Sequence, residues 1–197
     1  MFGFSRITAL TLVLFAAPTA AHAATVSNAG TIAGGPDFVS SGGGALVDAA
    51  HRAYVPNSSA SAWVWDSNRA LSPVTFTHSF DLTGYDIGTA SLSGVWGVDN
   101  FGTARLNGIV ISSIPFGYPA FQSLTAYAAT SGFVAGLNTL SFKVTNLGAY
   151  SSRNPAAFRA EALVTATPVP LPAPLALLAG GLGMLGLAGW RRKRAAA

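Results

Sequence analysis

The sequence predicts an all-β fold, an antiparallel β-sandwich of jelly-roll type. Three observations predict it. Apolar and polar residues alternate with a period of two over several segments. Glycine and Asn-Gly turn signals divide those segments at short intervals. No segment between the two termini shows a convincing helical pattern. Charged residues make up only 9% of the chain, while glycine alone contributes 22 residues. That balance suits a β-rich domain with many turns.

The elements follow in order. Residues 24–60 form a Gly/Ser-rich entry segment with an early strand, and the stretch from Thr25 to Ala45, with Gly34-Gly35-Pro36 and Gly42-Gly43-Gly44, is expected to hold at most one short strand. The β-sandwich domain proper is expected over residues 61–166. Ala62-Trp63-Val64-Trp65 is a short apolar strand. Val74, Phe76, His78, Phe80 and Leu82 alternate with polar residues, the mark of a half-buried strand. Ala90, Leu92, Gly94, Trp96 and Val98 repeat the pattern. Arg105-Leu106-Asn107-Gly108-Ile109-Val110 then reads as a hairpin, because Asn-Gly supplies the positive φ angles of a type I′ turn. Phe121 to Ala128 is a weaker strand. Leu140, Phe142 and Val144 mark the next, and Phe158, Ala160, Ala162, Val164 and Ala166 line one face of the last. About seven or eight strands result. Residues 167–174 continue as a stiff, proline-rich spacer.

Both ends have the layout of targeting segments. Residues 1–23 read as a secretory signal peptide: Arg6 is the positive n-region, Ile7 to Ala17 the apolar stretch, and Ala21-His22-Ala23 the cleavage site. A retained anchor is the alternative. Residues 175–190 carry no charge and as a helix would span roughly 24 Å. With Leu171 to Pro174 added, that approaches a bilayer span, so a C-terminal transmembrane helix is expected. Arg191, Arg192, Lys193 and Arg194 follow in a basic tail over residues 191–197, which stays cytoplasmic and places the domain across the membrane. A buried core helix is the alternative, and it gives those four cations no purpose.

Composition excludes several functions. The formal net charge is +4, but Arg6 and the four tail cations account for more than all of it. Residues 24–172 hold six basic and seven acidic side chains, leaving no basic stripe for nucleic acid. Cysteine is absent, which rules out disulfides and thiol catalysis. No Gly-x-Ser-x-Gly elbow occurs. His78 falls on an apolar strand face and reads as a satisfied core histidine. Glu161 is the sole glutamate, and an ion pair with Arg159 two residues away explains it better than a glycosidase pair. No enzyme is expected.

Two binding chemistries remain. Calcium takes six to eight oxygen ligands, and Asp66-Ser67-Asn68 and Asp99-Asn100 offer carboxylate and amide oxygens in loops. Ordinary turn chemistry is the alternative reading of both clusters. Sugars stack on flat aromatic faces while amides and carboxylates bond their hydroxyls. Trp63 and Trp65 share a strand face beside Asp66 and Asn68, and Tyr118 and Tyr150 lie in turn-rich stretches. A tryptophan on an alternating strand is more often core than platform; that reading applies to Trp96 and is the alternative for Trp63 and Trp65.

Two resemblances add to these readings. Val169-Pro170-Leu171-Pro172-Ala173, followed by the apolar run and Arg191, Arg192, Lys193 and Arg194, resembles the VPLPA-type sorting signal of the PEP-CTERM group. The resemblance implies export, transient anchoring in the inner membrane, processing by an exosortase-type protease, and delivery to the cell surface or extracellular matrix, often with exopolysaccharide. Phe80-Asp81-Leu82-Thr83-Gly84, Trp96-Gly97-Val98-Asp99-Asn100, Leu106-Asn107-Gly108 and the closing Asn154-Pro155 strand resemble galactose-binding-like jelly-roll domains. Ala157-Phe158-Arg159 stands where that family usually shows Gly-Leu-Arg. The likeness implies carbohydrate binding and, in many such domains, a structural calcium. The expectation is a non-enzymatic surface protein that binds exopolysaccharide. The competing expectation is a structural or adhesive biofilm-matrix protein that binds proteins or itself.

Overall fold

A computed structural model describes residues 21–68, 72–148, 151, 153–170 and 181–183. Among them eleven strands form: β1 Ala24–Gly30, β2 Val39–Ser40, β3 Leu46–Asp48, β4 Val64–Asp66, β5 Val74–Asp81, β6 Tyr85–Asp99, β7 Phe101–Leu106, β8 Ile109–Ile114, β9 Thr125–Ala129, β10 Leu137–Thr145 and β11 Ala157–Pro168. They build two antiparallel sheets. One runs β3-β4-β11-β6-β9 with β1 also paired to β11, and the other runs β2-β5-β10-β7-β8. Most successive strands change sheet, so the chain winds around the core.

The long strand β11 organises the first sheet. It pairs with β6 from Ala157 opposite Asp99 to Pro168 opposite Tyr85. Its other edge is shared: β1 covers residues 161–166, and β4 meets Phe158 through Val64. Here the structure differs from the expectation for residues 24–60. They supply three strands, two of them within the stretch to Ala45 where at most one was expected, and those strands lie in both sheets. The cause is tertiary. An unpaired edge on β11 would leave a row of backbone donors and acceptors, and β1 satisfies them. The last strand also runs past residue 166, as far as Pro168.

Alternation explains the core. Val74, Phe76, His78 and Phe80 of β5 and Leu140, Phe142 and Val144 of β10 all turn inward. They meet Trp96, Phe158 and their neighbours from the other sheet. Phe76 stacks on Phe158 at 4.5 Å between ring centroids, and Phe142 lies 5.0 Å from Phe158 and 5.3 Å from Trp96. Aromatic contacts of this kind add specific geometry to the burial that drives folding. Trp96 is fully buried and donates its indole N–H to Ser112 Oγ at 3.1 Å.

The turn between β7 and β8 has Asn107 at φ 48° and Gly108 at φ 84°, as the Asn-Gly pair implies. Gly94 is required for a different reason. A Cβ there would collide with the Glu161 carbonyl and with the Tyr127 ring, whose hydroxyl donates to that carbonyl at 2.9 Å.

His78 is buried, with Nδ1 2.6 Å from the Asp37 carbonyl and Nε2 2.8 Å from Ser27 Oγ. Arg159 is buried on the outer side of β11 beneath residues 56–61. It donates to Ser61 Oγ, Ser58 Oγ and the Pro56 carbonyl, and lies 3.6 Å from Glu161 Oε1. The ion pair read from the sequence is present, and its added role is to strap that loop onto the sheet.

Residues 1–20 of the signal peptide lie outside the described residues, as do Leu171, Pro172, Ala173 and the basic cluster Arg191, Arg192, Lys193 and Arg194. Most of the expected transmembrane segment lies outside them too. No helix among the described residues is long and apolar enough to cross a membrane.

Candidate functional site

Four loops converge at one end of the sandwich. The corner between β6 and β7 lies at their centre. Asn100 donates its backbone N–H to the Thr145 carbonyl, and its Oδ1 accepts the Leu147 N–H at 2.7 Å, which ties in the loop after β10. Asp99 accepts the Tyr54 hydroxyl at 2.7 Å, which ties in the loop before β4. Tyr54 packs on Phe121 at 5.7 Å, and Phe121 accepts the Val55 N–H through its carbonyl. That joins residues 115–124, the loop between β8 and β9, to the same end.

This loop carries the exposed aromatics. Pro115 to Pro119 turns tightly, with the Tyr118 N–H on the Pro115 carbonyl and Gly117 at φ 85°. The turn leaves Phe116 71% and Tyr118 47% exposed. Phe116 stands edge-on to Phe101 at 6.1 Å, an interplanar angle of 78°. Exposed Leu147 lies beyond Asn100 on the neighbouring loop. The result is a rim of aromatic and aliphatic faces with amide groups between them. Tyr118 was legible as a candidate because it lies in a turn. Phe101 and Tyr54 were not, since only tertiary contacts bring them to this end.

The other sequence candidates fall elsewhere. Trp63 and Trp65 are 0% and 2% exposed, so neither offers a ring face to a ligand. This corrects their reading as a sugar platform. Trp63 packs on Tyr54 at 4.8 Å and donates to the Val55 carbonyl at 2.7 Å. Trp65 packs on Phe76 at 5.5 Å, and its indole nitrogen has no hydrogen-bond partner among the described residues. Asp66 and Asn68 hold a glycine turn. Asp66 accepts the Gly44 and Asn68 N–H groups, and Asn68 donates to the Gly42 carbonyl. Tyr150 lies outside the described residues.

The calcium candidates are likewise engaged by the protein's own groups. Asp66 is buried with both oxygens facing N–H donors, and Asp99 and Asn100 each accept a hydrogen bond from the protein. Among the described residues no three histidine, aspartate or glutamate side chains gather as a ligand set. A cation needing six to eight oxygens does not fit these groups as placed. Turn chemistry accounts for them. Burial raises the Asp99 carboxyl above its ordinary value, while the Tyr54 hydroxyl and the charge of His51 pull it back part of the way.

No family model matches the chain, and no curated protein matches it. Several solved structures are similar in outline. A family 35 carbohydrate-binding module from Clostridium thermocellum is 13% identical, with 70% of this chain and 97% of that one covered at a TM-score of 0.40. A family 35 module from an environmental isolate is 13% identical, with coverages of 75% and 93% at 0.38. A CBM35 from Cellvibrio japonicus Abf62 is 12% identical, with coverages of 74% and 97% at 0.39.

Proposed function

We propose that this chain is an exported, non-enzymatic surface or matrix protein whose sandwich, of the galactose-binding-like jelly-roll class, binds carbohydrate. The observation that carries this reading is the aromatic turn at Phe116 and Tyr118. Two large rings stand in solvent on a loop that the rest of the domain holds in place. Exposed aromatic rings on a rigid scaffold mark a binding surface. Asn100 and the loop carbonyls around it supply polar partners for hydroxyl groups. Glu161, the sole glutamate, accepts from Ser61 and pairs with Arg159, which argues against its use as a glycosidase carboxylate. Sorting by an exosortase-type protease, after signal peptidase and the export machinery have acted, rests on the motif from Val169 to Ala173 and the basic cluster.

The experiment is a calorimetric titration of residues 24–170 with the host's exopolysaccharide, repeated for Phe116→Ala and Tyr118→Ala. Binding by the parent and a loss of about tenfold or more in each variant is the expected result. A folded sample that ignores the polysaccharide removes the reading and leaves the structural or adhesive one.

A further inference from the structure

The opposite end of the sandwich presents a second surface. It is built by the turns after β5, β7 and β9 and by the exit of β11. Val169 donates its N–H to the Gly84 carbonyl, Leu82 donates to the Gly136 carbonyl, and Asn107 Nδ2 donates to the Gly132 carbonyl. Five large apolar side chains stand exposed here: Ile87, Ile109, Val134, Leu137 and Val169, with Leu137 the most open at 68%. A shallow groove between Tyr85, Ile87, Ala135 and Val169 runs through the patch. An apolar patch at one end of a domain calls for an occupant.

We infer that this end rests on the lipid surface while the chain is anchored. The inference depends on reading residues 175–190 as a membrane span. Its physical basis is chain length. Pro170 follows directly on Val169, and Leu175 begins the uncharged apolar run. Five residue steps reach at most about 18 Å even when fully extended. The headgroup zone of each leaflet fills about 5–8 Å of that distance. The end that carries Val169 is therefore held within reach of the interface, and the apolar side chains beside it enter the zone where such groups are buried.

Charge selects the lipid. Asp81 and Asp86 flank the patch, with each carboxylate turned onto a backbone N–H of its own turn, at Thr83 and Gly88. Hydrogen bonds from Thr83 hold the Asp81 carboxyl below its ordinary value, so it stays charged. Arg105 is the cation of this end among the described residues, and it donates to the Gly108 carbonyl. Contact by burial of apolar groups on neutral lipid fits this arrangement, and attraction to anionic lipid does not.

The chain has no cysteine, so single labels are clean. The full chain, carrying a fluorophore at Ala135→Cys or at Phe116→Cys, would be reconstituted in phosphatidylcholine–phosphatidylethanolamine vesicles containing headgroup-nitroxide lipid. The label at position 135 should be quenched several-fold more than the label at 116, at high salt as at low. Adding Val134→Ser and Leu137→Ser to the Ala135→Cys chain should bring the two values together. Equal quenching in the parent chains, with the protein floating with the vesicles, overturns the docking and leaves the anchor intact. Failure to float with vesicles overturns the anchor, and the docking with it.

Discussion

Asp99 is held under the Tyr54 hydroxyl in a setting that favours its neutral form. Its carboxyl is raised in the folded chain above 3.8, so the folded state binds the proton more tightly than the unfolded state. The resulting stabilisation is complete below 3.8 and is lost as pH rises through the raised value. Melting temperatures measured from pH 3 to pH 7 should show this loss in the parent and a flatter profile in Asp99→Asn. Identical profiles would place the carboxyl in water. Trp63 and Tyr118 form a second contrast at this scale. Trp63→Ala should cost about 3–5 kcal/mol in denaturant unfolding, because it empties a packed site. Tyr118→Ala should change stability by less than about 0.5 kcal/mol and weaken sugar binding. The sequence separates these two aromatics in part, with Trp63 on an apolar strand and Tyr118 in a turn-rich stretch. The packing of Tyr54 and Phe121 over Trp63 completes the distinction.

At the scale of elements, the alternating strands β5, β6, β10 and β11 were readable from their period of two, and the β7–β8 turn from Asn-Gly. Strand β1 was not, because ATVSNAG mixes small and polar residues without a clear face. What makes it a strand is the open edge of β11, which lies more than 130 residues away in the chain. The brief strands β2 and β3 depend likewise on partners at β5 and β4. A fragment of residues 61–166 should therefore lack a cooperative unfolding transition, while residues 24–170 should unfold in one step. Circular dichroism against denaturant decides this, and a cooperative transition in the shorter fragment would make β1 dispensable. Gly108→Ala tests the hairpin. It forces a side chain into positive φ and should cost about 1–2 kcal/mol in the same assay.

Over the whole molecule, the two ends of the sandwich differ in what they expose. One carries the aromatic rim at Phe116 and Tyr118, and the other carries the exit toward the apolar run. An anchored chain would then hold its rim away from the bilayer, where polysaccharide can reach it. Changing Arg191, Arg192, Lys193 and Arg194 together to alanine should reduce membrane retention or processing in fractionated cells. Unchanged surface yield would make the basic cluster incidental. The sandwich architecture was legible because many strands repeat one simple pattern. The rim was legible only in part, because loops from four separate regions assemble it and no local pattern records that assembly. Carbohydrate binding by that rim is tested by titrating residues 24–170 with host exopolysaccharide, with and without a calcium chelator. Binding that the chelator leaves unchanged and that Phe116→Ala weakens about tenfold is expected. No heat of binding from a folded sample, or binding indifferent to Phe116 and Tyr118, would contradict it.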